Sequence, residues 1–305
     1  MTLPQQLNID EDVVDIVRRL EAAGHETWCV GGAVRDRLID PAADGYEVDL
    51  ATAATPGQVQ ALFRRTIAVG IEHGTVGVLD RGRRLREVTT FRRDVRTDGR
   101  HAVVAFGVTL ADDLARRDFT INAIAYHPLR TAWCDPFHGA DDLERRLVRA
   151  VGDPAHRFRE DYLRILRALR FAARFDFRID AATWDAARAA APGLRQLSAE
   201  RVRDEWFKGL ATARAPVVLA SLWRKVGAAE IWLPELLGES EVHGIVPRER
   251  DPVLLTAWLT SDPVSVLTGL KGSNAEIARA AALRDGPAAP SGSDDPSLRR
   301  WLART

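Results

Sequence analysis

Lysine is nearly missing from this chain. Of its 43 basic residues only Lys208, Lys225 and Lys271 are lysines, and the remaining 40 are arginines. The chain has only two cysteines, Cys29 and Cys134. A disulfide scaffold is therefore excluded, and the apolar flanks predict two buried thiols in a reducing, cytoplasmic setting. Net charge is absent as well, with 43 acidic residues against 43 basic. No apolar run approaches the ~18 residues of a membrane span. The polar, acidic start from Met1 to Asp12 reads as neither a secretory nor a transit signal. What remains is an ordinary globular composition, 46% hydrophobic and 28% charged over 305 residues, a length that suggests about two domains.

Character changes along the chain. Asp10–Gly24 shows helical spacing, Thr27–Val30 a short strand, and Ala33–Ile39 and Pro56–Phe63 helices. Glycine-punctuated strands follow from Thr66 to about Phe106, the clearest being Thr75–Leu79 and Arg84–Phe91. Beyond Val148 the pattern predicts helices at Arg157–Phe175, Ala181–Ala191, Ala199–Ala213, Val217–Val226 and Pro252–Leu259, with no convincing strand. The expected class is α+β, with a mixed domain over 1–148, a helical segment over 149–225 and a smaller helical remainder over 226–305. Asp285–Ser297 has linker composition. Residues 151–225 hold 15 basic and 9 acidic side chains, a net +6, and are the place to look for a polyanion.

Five segments carry chemistry. In Cys29-Val30-Gly31-Gly32-Ala33-Val34-Arg35-Asp36 a strand breaks at two glycines and enters a helix. Backbone N–H groups at such a turn suit a phosphate, and Arg35 adds a charged fork. In Tyr46-Glu47-Val48-Asp49-Leu50 strand alternation sends Tyr46, Val48 and Leu50 to the core and puts Glu47 and Asp49 on one face. Two carboxylates so placed either stay solvated on an edge or share a hard divalent cation such as Mg²⁺. Glu87 lies in a further strand whose register against Asp49 sequence does not fix. In Asp113–Ala123, Arg116 and Arg117 stand beside Asp118, which would orient one of them toward a triphosphate; Asn122 closes the segment. Last, winding Arg159–Phe171 as a helix gathers Tyr162, Ile165, Leu166, Leu169, Ala172 and Ala173 on a core stripe. Arg164, Arg167, Arg170 and Arg174 form a ridge with no acid at i±4 of Arg167 or Arg170, so the ridge wants an anion.

CVGGAVRD, the acidic pair followed by LATAATP, REVTTFRRD, DLARRDFTINA and REDYLRILRALRF occur in an order that resembles the bacterial tRNA nucleotidyltransferase (CCA-adding) and poly(A) polymerase family. The resemblance implies a polymerase-β-type nucleotidyltransferase head followed by an all-helical neck, body and tail. It implies template-independent addition of CMP and AMP, from CTP and ATP, to the 3′ end of tRNA by two-metal phosphoryl transfer. Relatives that add only CC, only A or poly(A), or that merely bind RNA, are the alternatives. By the family pattern Glu47 and Asp49 hold Mg²⁺. Glu87, from its strand alone, is either a third acid that joins them as a catalytic group or a surface glutamate. Gly31, Gly32, Arg35, Arg116, Arg117, Asp118 and Asn122 form the nucleotide site with Asp161, Arg164, Arg167 and Arg170. Cytosine and adenine each present an amine donor beside a ring-nitrogen acceptor, which an Asp161 acceptor and an Arg164 donor match; guanine and uracil oppose a carbonyl to the Asp161 carboxylate. The family usually has aspartate where Glu47 stands, and nothing after about residue 230 matches it clearly.

Overall fold

The computed structural model describes residues 2–42, 47–97, 102–238, 240, 242 and 249–285. Tyr46, and all of the linker-like Asp285–Ser297 stretch except Asp285, lie outside them. The chain divides into two compact units, Met1–Asp161 and Tyr162–Thr305. This boundary falls later than residue 148 because Val151 and Phe158 are buried, and Val151 joins the core of the first unit.

The first unit opens with α1 (Glu11–Ala22), capped by the Asp10 side chain on Asp12 N–H, with Val13, Ile16, Val17 and Leu20 buried. Then come β1 (Thr27–Val30), α2 (Gly32–Ile39), β2 (Asp49–Thr52) and α3 (Pro56–Leu62). A three-stranded meander of β3 (Thr66–Gly70), β4 (Thr75–Leu79) and β5 (Leu85–Thr90) follows, and then a hairpin of β6 (Arg92–Thr97) and β7 (Ala102–Phe106). The unit closes through α4 (Leu110–Ala115), β8 (Ala125–His127), β9 (Ala132–Cys134), α5 (Gly139–Glu144), β10 (Leu147–Val148) and α6 (Pro154–Glu160). Its main sheet runs β3-β4-β5-β2-β1-β8-β9. The pairings are antiparallel except for β2 against β5, which run parallel with Leu50 opposite Val88. One sheet face packs Trp28, Val30 and Ala51 with Phe91, Leu110 and Leu114 into a core.

The second unit is helical: α7 (Leu163–Phe175), α8 (Ala181–Ala190), α9 (Ala199–Thr212), α10 (Pro216–Val226), α11 (Ala229–Trp232), α12 (Pro252–Leu259), α13 (Pro263–Gly269) and α14 (Asn274–Asp285). A two-residue strand, β11, at Arg178–Ile179 corrects the expectation of no strand after residue 148. Trp206 and Trp223 meet edge to face at 5.0 Å in its core. The last two helices were not legible. Both are short in apolar periodicity, and they begin at Pro263 behind an Asp262 cap and at Asn274.

The helix expected over Arg157–Phe175 is two helices. Asp161 is extended (φ −156°, ψ 106°) and ends α6, so it is not on the wheel that α7 defines. Tyr162 turns instead toward Gly193, where a Cβ would stand 2.1 Å from its ring. Within α7 the expected core stripe holds, with Ile165, Leu166, Leu169, Ala172 and Ala173 buried. Cys29 is buried, as expected, whereas Cys134 is only half-buried. Burial pushes the Cys29 thiol up to about 12, against the opposing Arg37 charge, so it stays protonated and inert. No helix among the described residues is long and apolar enough to cross a membrane.

Candidate active site

Register brings the three acids of the first unit together. Val30 at the end of β1 faces Asp49 at the start of β2. Leu50 opposite Val88 then sets Glu87 beside Asp49, on the same side of the sheet, because paired residues share a face. Glu47 lies two residues ahead of Asp49, just before the strand, and is exposed. Burial raises the Asp49 pKa, Glu87 raises it further and Glu47 adds to this. Arg117 only partly offsets them, and the carboxyl sits at about 6 instead of 3.8. Asp49 is thus an uncomfortable anion, and a cation would relieve it.

That discomfort is the test of fit for a divalent ion. Among the described residues no three His, Cys, Asp or Glu side chains close into a complete cage. What the residues offer is an open, all-oxygen pair under a concentrated negative field. A magnesium-like ion that takes its remaining ligands from water and substrate phosphate suits such a site. The residues fit the group.

Beside the acids the backbone turns sharply. Gly31 has φ 78° and precedes the first turn of α2. A Cβ on it would lie 3.3 Å from Arg117 Nη1 and 3.5 Å from Asp49 Oδ2, so the bare backbone, the arginine and the acid share one small space. Arg35 does not reach outward. It is buried, donates to Asp36 Oδ1 at 2.8 Å through Nε and hydrogen-bonds Asn122 Oδ1, holding the turn from behind.

One expectation is corrected in the arginine segment. The carboxylate that holds both arginines is Asp113, missed by the sequence reading: it accepts from Arg116 Nη2 at 2.8 Å and Arg117 Nη2 at 3.0 Å. The signal was available, since Asp113 stands three and four residues before them. Burial would raise its pKa, but Arg117 and Arg116 outweigh this and hold it below the usual range. Asp118 instead accepts from Asn122 Nδ2 at 2.9 Å and from Phe119 N–H at 2.8 Å. Arg117 Nε is buried and makes no hydrogen bond among the described residues.

In the second unit the arginine ridge differs from expectation. Arg170 is buried and donates from Nε to Glu205 Oε2 at 2.7 Å, while Arg167 Nη1 lies 3.7 Å from Glu205 Oε1. An acid on α9 therefore supplies the partner that α7 lacks, which a search confined to i±4 cannot see. Arg170 and Arg174 also lie over the rings of Phe171 and Phe175, at 4.3 and 4.8 Å. Those two rings stack on each other at 6.1 Å.

A mixed sheet carrying acids on adjacent strands beside a glycine turn, followed by helices, defines a nucleotidyltransferase head of the polymerase-β type. Residues 27–149 match the family model "Poly A polymerase head domain", and 176–238 match "Probable RNA and SrmB- binding site of polymerase A". Relatives named CCA-adding enzyme are 43% identical in Streptococcus pyogenes (90% of this chain, 69% of that one) and 42% in Streptococcus gordonii (90% and 59%). The CCA-adding enzyme of Bacillus stearothermophilus, solved with CTP, superposes with a TM-score of 0.80 at 34% identity, covering 90% of this chain and 69% of that one. A tRNA nucleotidyltransferase solved with a primer tRNA and an ATP analogue shares the fold, with a TM-score of 0.75 at 22% identity over 94% and 90% of the two chains. The chain belongs to the CCA-adding enzyme family. It spans 59% of the length of the Streptococcus gordonii relative.

Proposed function

We propose that this chain is a cytoplasmic, template-independent RNA nucleotidyltransferase that adds CMP and AMP, taken from CTP and ATP, to the 3′ end of tRNA. The observation that carries this reading is the pairing of Asp49 with Glu87 across parallel strands, against the Gly31 turn and Arg117. Adjacent carboxylates beside a glycine turn at a helix N-terminus and an arginine suit phosphoryl transfer.

Each residue has a task in this reading. Glu47 and Asp49 would hold Mg²⁺, which when bound neutralises charge on the phosphates and makes the RNA 3′-hydroxyl more acidic. N–H groups at Gly31 and Gly32 receive phosphate oxygens at the head of α2. Arg35, tied to Asn122 and Asp36, keeps that turn in shape. Asp113 aims Arg117 and Arg116, and Arg117 Nη1, which stands against the Gly31 turn, meets the triphosphate. Glu87 lies next to Asp49 and orients the attacking hydroxyl. Asp161 accepts from the exocyclic amine of cytosine or adenine, and Arg164 donates to the ring nitrogen. Glu205 anchors Arg170 and Arg167, so these arginines set the shape of the base site more than its charge.

The test uses purified protein, Mg²⁺, CTP, ATP and tRNAs lacking the terminal CCA, CA or A. Completion of all three supports the reading, and the product also tells CCA addition from CC-only, A-only or poly(A) addition. Failure to extend any of them refutes it.

A further inference from the structure

The sheet face that carries Asp49 and Glu87 continues past β5. Gly77 on β4 is the cross-strand partner of Glu87, and Ile67 on β3 is the partner of Gly77. A side chain has no room at Gly77. A Cβ there would stand 2.6 Å from Leu85 Cδ1 and 2.8 Å from Val69 Cγ2. Those two side chains close over the glycine from either side. Ile67, Val69 and Leu85 thus form a continuous aliphatic platform, 47%, 40% and 37% exposed, that begins at Leu85, two residues before Glu87 on β5. Contiguous apolar exposure beside reacting groups marks a binding surface.

Geometry selects the occupant. The groups suited to phosphate, the Gly31 turn and Arg117, lie on the β1 side of Asp49. Attack in line with the departing pyrophosphate must come from the opposite side. In the order β3-β4-β5-β2-β1 that side is β5, β4 and β3. The nucleotide bearing the attacking hydroxyl therefore arrives over the platform. Its base has apolar faces, and its backbone is anionic. A growing tail changes its last base at each cycle. A seat without polar edge groups is indifferent to which base that is.

We propose that Ile67, Val69 and Leu85 seat the 3′-terminal base of the RNA acceptor. This rests on the reading that the chain extends RNA.

The experiment compares wild type with the double variant Ile67→Ser/Leu85→Ser, both at exposed positions. Fluorescence anisotropy follows binding of tRNA lacking its CCA, and steady-state extension follows the KM for that tRNA and for CTP. Loss of the seat should weaken tRNA binding, and raise its KM, roughly tenfold while the KM for CTP moves less than about twofold. Unchanged tRNA affinity, or an equal rise in both KM values, overturns the proposal. So does a change in sedimenting mass without a change in tRNA affinity, since the platform would then pair two copies of this chain. A wild-type protein that extends tRNA while the double variant matches it sinks only this inference; one that neither extends nor binds tRNA sinks the functional reading as well.

Discussion

Replacing Asp49 by asparagine should make the metal-free protein more stable while destroying its chemistry. Asp49 titrates at about 6 in the fold and at 3.8 as a free side chain, the rise coming from burial and then from Glu87 and Glu47. Below pH 3.8 the carboxyl is protonated in folded and unfolded chains alike, and it contributes nothing. Between 3.8 and about 6 the unfolded chain releases its proton while the folded chain keeps it, so stability falls as pH rises. Above about 6 both are ionised and the whole penalty is present. Two pKa units correspond to about 3 kcal/mol. In Asp49→Asn the volume remains and the charge is gone. Thermal unfolding in EDTA should therefore place the variant above wild type by roughly 6–12 °C in Tm at pH 8, with the gap closing toward pH 4. Added Mg²⁺ should raise the wild-type Tm and leave the variant unmoved. A variant no more stable than wild type at pH 8, or a gain independent of pH, would refute the account of these acids as a strained anionic cluster.

Two further outcomes follow from the ion pairs. Glu205→Ala leaves the buried Arg170 guanidinium without its carboxylate and should cost about 3 kcal/mol in urea unfolding, whereas Glu205→Gln should cost less. Asp113 has a lowered pKa, so its support is complete above its unfolded value near pH 4 and drains away as acid carries the solution through the lower folded value. Asp113→Asn should accordingly lose about 1–3 kcal/mol at pH 7 and show a shallower acid limb in urea titrations. By loosening Arg117 it should also raise the KM for nucleotide more than the KM for tRNA.

Local signals carried much of the fold. Apolar spacing gave α1, the strand at Thr27–Val30 and the stripe on α7, because neighbours three and four residues apart decide those features. The double glycine and the Glu47–Asp49 spacing marked the site without any tertiary knowledge. Long-range register did not show. Glu87 reaches Asp49 only because β5 pairs parallel to β2, and no local pattern encodes that choice. The same blindness left Glu205 unseen beside Arg170, thirty-five residues away along the chain. Asp161 misled for another reason: the residues around it have helical spacing, yet packing of Tyr162 on Gly193 breaks the helix there.

The parallel pairing of β2 with β5 has an energetic meaning. Asp49 and Glu87 are joined by a crossover through α3, β3 and β4, so the two strands become neighbours only after that whole excursion has closed. The repulsion of Asp49 by Glu87 therefore belongs to the closed sheet and to neither segment alone: it is a cost that the packing around the crossover must carry.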